Sequence, residues 1–386
     1  MDRVSERVKG FDGLRALALI AVFLQHYTAF GRVNSTGGYG VWLFFALSGF
    51  LIVRILADER RRVEAGGVAP GSALRRFFWR RTLRIWPAYY LVLVLFTGLA
   101  ALHWASDFTW PAAAWHYLYL SNIYFADVAG RWVGRFGHFW SLAIEEQFYL
   151  LAAPALLLSP SRWARKLCLV VLAAAAVCDL WLRSENASDM VLYANSLTNF
   201  GSLAFGGWIG LGLPARPRAG AASWPAAAGV AVLVGLVLGF PHIGLFTPGV
   251  ALLVAALPFW STTLVAGLLL VAVHRNQASL AVRVLEWGPI AYFGRVSYGF
   301  YLYHNLIPHW LIGGLAHKAG LNWRVPIVVE TLFSFFLALG LAALSWVLIE
   351  RPLLRFKDRP PNLALLWAGL RGRLRGLAPA SAAIEP

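Results

Sequence analysis

The sequence predicts an all-α protein, a polytopic membrane helix bundle of about ten transmembrane helices. Three observations lead there. Of 386 residues, 59% are hydrophobic and only 13% charged, where soluble domains carry about 25% charged residues. Eighteen Trp and thirteen Tyr supply the amphipathic rings that gather at membrane–water interfaces. Apolar runs of about twenty residues, each long enough to cross a bilayer, recur along the whole chain.

In order, the runs cover residues 11–30, 39–57, 85–103, 138–158, 166–183, 197–213, 223–240, 247–272, 290–315 and 326–349. The sixth and ninth carry Gly, Asn, Tyr and His, and the eighth contains Pro258. An even count puts both termini on one side. With that side cytoplasmic, twenty-five Lys and Arg lie inside, six lie outside, and Arg15, Arg54 and Arg295 fall within runs. Such a bias sets orientation, and it accounts for the net charge of +16 without nucleic acid. The expected arrangement is a chain that crosses the membrane many times, with both termini cytoplasmic.

Residues 1–358 are expected to form the transmembrane domain and 359–386 a basic cytoplasmic tail. Loops 58–84 and 104–137 are too short for a soluble domain, and no transporter-type repeat is visible. No cleavable signal peptide is expected, because the first run carries Arg15 and His26 and no small-residue cleavage pattern follows it. Cys168 and Cys178 share one apolar stretch without metal-ligand or disulfide spacing, which makes them packing residues and gives no metal site.

Four segments put polar groups where a passive bundle would not. Arg15 and His26 are eleven residues apart, about three turns, so they share one helix face and lie about 16 Å apart along the axis. Ionisable groups inside a membrane are functional candidates by default. In "LSGFLIVR" (47–54), Gly49 permits close backbone approach and Arg54 closes the cytoplasmic end. "RRFFWRRTLRIWPAYY" (75–90) is a basic aromatic segment that also suits a lipid headgroup anchor. "HFWSLAIEEQFYL" (138–150) puts Glu145 and Glu146 side by side, about 100° apart, so only one of them need face an interior.

Depth links these segments. The first span runs outward and the fourth inward, which brings His26 and Glu145 to similar depth. A carboxylate beside an imidazole orients it and raises its basicity, as a general base requires. Arg15, Arg54, Arg81 and Arg84 all fall at the cytoplasmic end. Planar guanidinium groups hold phosphates well, so that cluster suits a polyanion.

The spacing of Arg15 and His26, "FFALSGFLIVR", "RRTLRIWPAYY", "FWSLAIEEQFYL" and "SYGFYLYHN" (297–305) come in one order across residues 9–352. Together they resemble the membrane acyltransferase-3 family. The resemblance implies an inner-membrane enzyme that takes an acyl group, usually acetyl, from cytoplasmic acyl-coenzyme A to a hydroxyl, commonly on a glycan. It matches Arg15 and His26 to the paired motif and Gly49, Phe50, Leu51 and Arg54 to the second. Arg81 and Arg84 match the paired arginines, Glu145 the first glutamate of the fourth motif, and Tyr301 and His304 the C-terminal motif. Many relatives carry a fused periplasmic hydrolase-like domain that this sequence does not show, which leaves the acceptor open between a polysaccharide and a small metabolite such as a macrolide.

The expected mechanism has His26, oriented by Glu145, as general base, or else as acyl carrier. Ser141, Asn122 or Tyr149 would donate to the oxyanion. The rival class is a transporter or flippase whose charges form a substrate pathway. Binding of coenzyme A separates the two.

Overall fold

The computed structural model describes residues 7–103, 108, 110–214, 248–308, 311–320 and 325–361, with side chains in the fourth stretch from 256 onward. Among the described residues the regular elements are all helices. Helix α1 spans Phe11–Tyr27 and ends at Thr28, which is extended (φ −128°, ψ 150°). The Thr28 hydroxyl donates to the Leu24 carbonyl at 2.7 Å and accepts from Gly31 N–H at 2.9 Å. It thereby satisfies the end of one helix and the start of the short helix Ala29–Val33. The expected run 11–30 is therefore split near its C-terminal end.

Helices α2 (Thr36–Glu64) and α3 (Pro70–Ala101) follow. Most of the expected loop 58–84 belongs to these two helices, and the turn between them is only residues 65–69, where Gly66 has φ +74°. Pro70 opens α3, where its missing N–H has no intrahelical partner to lose. Residues 110–137 are also folded inward. His116 is buried among the rings of Phe125, Phe136 and Phe139, and the Tyr89 hydroxyl donates to its carbonyl at 2.8 Å. Aromatic content, invisible to a span count, draws this connection into the core.

The remaining main helices are α4 (Phe139–Leu158), α5 (Ala164–Ser184), α6 (Ser196–Gly212) and α7 (Pro248–Arg275). They are followed by α8 (Gly288–Arg295), α9 (Ser297–His304), α10 (Leu311–Lys318) and α11 (Ile327–Ser345). Six helices among the described residues are long and apolar enough to cross a membrane: α2, α3, α4, and those at Ser161–Ser184, Ala256–Arg275 and Ile327–Leu354. Helices α1 and α6 have 17 residues each, about 25 Å at 1.5 Å per residue. The ninth run, 290–315, is broken into α8, α9 and α10, with junctions at Val296 and around Asn305 and Pro308. The run at 223–240, and the tail beyond 361, lie outside the described residues.

The centre is a tight seam of α2 against α6. A Cβ at Gly49 would overlap the Leu203 carbonyl, and one at Gly206 the Ala46 carbonyl. Small residues let helix backbones approach this closely, which is how membrane helices gain packing energy without a hydrophobic drive. Helix α1 lies along another side of α2 and carries α8 on its outer face.

Candidate active site

Two chambers open along α1 and α2. The first, of about 250 Å³, is lined by Arg15 near the start of α1, by Arg81 and Arg84 on α3, and by Ser48, Glu145 and Tyr149. Arg15 pairs with Asp12 one turn earlier at 2.5 Å, and Asp12 also holds Arg7 at 2.8 Å. Among the described residues Arg81 forms no direct salt bridge, although Glu145 lines the same chamber. Its guanidinium lies 5.9 Å from the Phe77 and Tyr149 ring centres, and its buried Nε has no hydrogen-bond partner. Its N–H groups are left as donors for an arriving anion.

Glu145 faces this chamber. One carboxylate oxygen accepts from both the Ser48 and the Tyr149 hydroxyls, which themselves lie 2.9 Å apart. Glu146 points away, as neighbours on a helix must. It accepts from the Trp86 indole at 3.3 Å, while its other oxygen is buried without a partner, and it lines neither chamber.

The second chamber, of about 700 Å³, lies toward the other end of α1. His26, His138, Tyr301 and Asn305 line it, with a wall of Trp42, Trp132, Trp140 and Tyr193. The Tyr193 ring is 4.7 Å from Trp140, 5.9 Å from Trp42 and 6.0 Å from Trp132. His26 Nδ1 meets His304 Nε2 at 3.0 Å, and His304 Nδ1 meets the Tyr301 carbonyl at 2.7 Å. The His138 ring is 5.1 Å from that of His304.

Val41 and Tyr301 line both chambers. The Tyr301 hydroxyl is 2.6 Å from Ser141 Oγ and donates to the His138 carbonyl at 3.0 Å. Ser141 belongs to the wall of the arginine chamber. This pinned hydroxyl pair stands where the chambers meet. Among the described residues, no group of three or more His, Cys, Asp or Glu is arranged to hold a metal ion.

The structure thus brings Arg15, Arg81, Arg84 and Glu145 together, and separately His26 with Tyr301 and His304. It corrects three expectations. Glu145 and His26 face different chambers; the partner at His26 Nδ1 is His304. The expected equal depth does not hold: Glu145 lies with Ser48 and Arg15 toward the start of α1, and His26 toward its other end. Arg54 lines neither chamber: it donates to the Pro214 carbonyl at 3.3 Å and covers the Phe50 ring at 5.2 Å. Asn122 holds the Ala194 carbonyl and Ser196, and accepts from Gln147, so it is a structural clamp.

Gly49 serves the α2–α6 seam, and fully buried Phe50 packs edge-on to Phe11 at 5.1 Å. Sequence reasoning passed over Ser48, His138 and Asp12. The first two stood inside the quoted motifs, and Asp12 lies one helical turn before Arg15.

Comparison with known proteins adds a family. The sequence model of a family described as "Acyltransferase domain" matches residues 8–350. A protein of Komagataeibacter xylinus named as a membrane-bound transacylase, BcsY, is 31% identical over 377 residues, which is 93% of this chain and 86% of that one. The peptidoglycan O-acetyltransferase OatA of Listeria monocytogenes is 29% identical over 372 residues, 90% of this chain and 56% of that protein. YrhL of Bacillus subtilis, named for the same activity, is 28% identical over 370 residues, 90% of this chain and 55% of that one. The chain therefore spans about half the length of these two peptidoglycan relatives. No solved structure matches.

Proposed function

Because this chain belongs to the acyltransferase family whose model spans residues 8–350, we propose that it is a membrane O-acyltransferase moving an acetyl group from cytoplasmic acyl-coenzyme A to a carbohydrate hydroxyl on the opposite side. The observation that carries this reading is the pair of chambers meeting at Val41 and Tyr301, one lined by arginines and the other by His26.

The arginine chamber receives the donor. Its volume, about 250 Å³, lies below the roughly 300–1,000 Å³ of sites that enclose a whole drug-sized ligand. It suits a slender acyl-bearing arm, with Arg15, Arg81 and Arg84 drawing the coenzyme's phosphates to its mouth. Glu145, tied to Ser48 and Tyr149, shapes the same chamber and balances its charge.

The histidine chamber receives the acceptor. Sugar rings present C–H faces that stack on aromatic rings, and Trp42, Trp132, Trp140 and Tyr193 supply such faces. The peptidoglycan named for two of the relatives favours the same class of acceptor.

In the step itself, His26 takes the proton of the acceptor hydroxyl as its oxygen attacks the thioester carbon. The new C–O bond forms, the C–S bond breaks, and the imidazolium returns its proton to the leaving thiolate. The products are an ester and free coenzyme A. The hydroxyls of Ser141 and Tyr301, 2.6 Å apart at the junction, would serve the oxyanion by turning a proton away from the His138 carbonyl that now accepts from both.

Sealed membrane vesicles carrying the chain test this. With acetyl-coenzyme A labelled in its acetyl group, transfer to glycan is expected from inverted vesicles and not from right-side-out ones. Transfer from right-side-out vesicles would reject the sidedness. After Cys168 and Cys178 are replaced, Ala65→Cys and Arg131→Cys are expected to react with an impermeant thiol reagent from opposite sides.

A further inference from the structure

The contacts of His304 define its protonation. Its Nδ1 lies 2.7 Å from the Tyr301 carbonyl. A carbonyl only accepts, so Nδ1 carries a proton. The ring is fully buried at 0% exposure, and its hydrogen-bond partners among the described residues are that carbonyl and the His26 imidazole, with no carboxylate. A buried imidazole in such company stays neutral. A neutral imidazole has one N–H, so His304 Nε2 is a bare acceptor.

The 3.0 Å contact between His304 Nε2 and His26 Nδ1 then has one polarity: His26 Nδ1 donates. Its lone pair is left on Nε2, on the far side of the ring. His138 completes the order. Its Nε2 is 3.1 Å from the Leu302 carbonyl, which makes that nitrogen the donor, and its Nδ1 faces the Asn305 amide at 3.4 Å. Each of these two neighbours thus has its tautomer set by a backbone carbonyl of α9.

We propose that His304 is the positioning residue of the reaction, fixing His26 with its proton on Nδ1 and its basic lone pair on Nε2. An unconstrained imidazole prefers the opposite tautomer, with Nε2 protonated, so His304 would enforce the basic nitrogen the reaction needs. The inference rests on His26 being the base, as proposed above. It differs from the expected carboxylate–histidine pair in that the orienting group is neutral and is itself oriented by main chain, and so places no second charge beside the base.

The test uses the full chain in lipid nanodiscs with ring-15N histidine, the His26 signals being assigned by their loss in His26→Gln. Wild type is expected to show a bare Nε2 and a protonated Nδ1 at His26. His304→Gln, whose side-chain oxygen accepts where Nε2 did, is expected to keep that pattern, and His304→Leu to invert it. In the vesicle assay, His304→Leu is expected to fall roughly 10- to 100-fold below His304→Gln, as loss of an orienting partner typically does, with donor KM unchanged.

A protonated Nε2 in wild type, or an unchanged pattern in His304→Leu, overturns the proposal. So does a fully active His304→Leu beside a dead His26→Ala, which would leave the base reading standing. A fully active His26→Ala would reject the base reading itself, whatever tautomer the spectrum shows.

Discussion

The two chambers share a wall and almost nothing else. The arginine chamber is small and charged: three guanidinium groups face one carboxylate, and that carboxylate is tied down by two hydroxyls. The histidine chamber has nearly three times the volume and is walled with indole and phenol rings. Charge recognises a ligand at a distance and with little regard for its shape; ring faces recognise flat apolar surfaces at contact. On the reading proposed above, one bundle handles two chemically unlike substrates by dividing its length, and substitutions in each half should register on different kinetic constants.

The largest effect is expected in the histidine chamber. His26→Ala should lower kcat by about 10²- to 10⁴-fold, the range for loss of a general base, with acyl-coenzyme A binding unchanged. A change in donor affinity instead would merge the two chambers' roles. Replacing either Arg81 or Arg84 with Gln should weaken donor binding roughly 10- to 100-fold, on the basis of about 1.5–3 kcal/mol per charged hydrogen bond, and leave acceptor KM alone. An unmoved donor binding curve would leave these residues as lipid anchors.

Glu145→Gln sharpens the division further. It keeps the shape but removes the charge that the Ser48 and Tyr149 hydroxyls address. Donor KM should fall, because removing a negative charge beside three guanidinium groups strengthens their hold on phosphate, while the pH profile of kcat stays in place. A displaced profile would restore Glu145 as the partner of His26. The smallest effect is expected at Trp140→Leu: loss of one ring face should raise acceptor KM by roughly two- to tenfold, from about 0.5–1.5 kcal/mol, without touching donor binding.

Much of this was legible in the sequence because hydropathy and spacing report directly on helices. The paired placement of Arg15 and His26 follows from eleven residues on one helix, and Arg81 and Arg84 stand out as charges beside an apolar run. Rotation about the helix axis was not legible. Glu145 turns to Ser48 and Arg54 to Pro214 because α2 packs on α6 through Gly49 and Gly206, and an apolar residue facing lipid looks the same in sequence as one facing protein. The break of the ninth run was hidden for a similar reason. The carbonyls of His304 and Ile307, freed where α9 ends, both accept from the Tyr27 hydroxyl at 2.6 and 3.0 Å. That partner is nearly three hundred residues away.

The shared wall at Val41 and Tyr301 also has an electrical meaning. A membrane under 100 mV stores about 2.3 kcal/mol for every elementary charge that crosses it, and a continuous wet passage would let that store drain as current. The same two side chains face both chambers, and the phenol is pinned on one side by Ser141 and on the other by the His138 carbonyl. On the reading proposed above, an uncharged acetyl group is handed across this wall while Val41 and the pinned phenol stand in the path an ion would take.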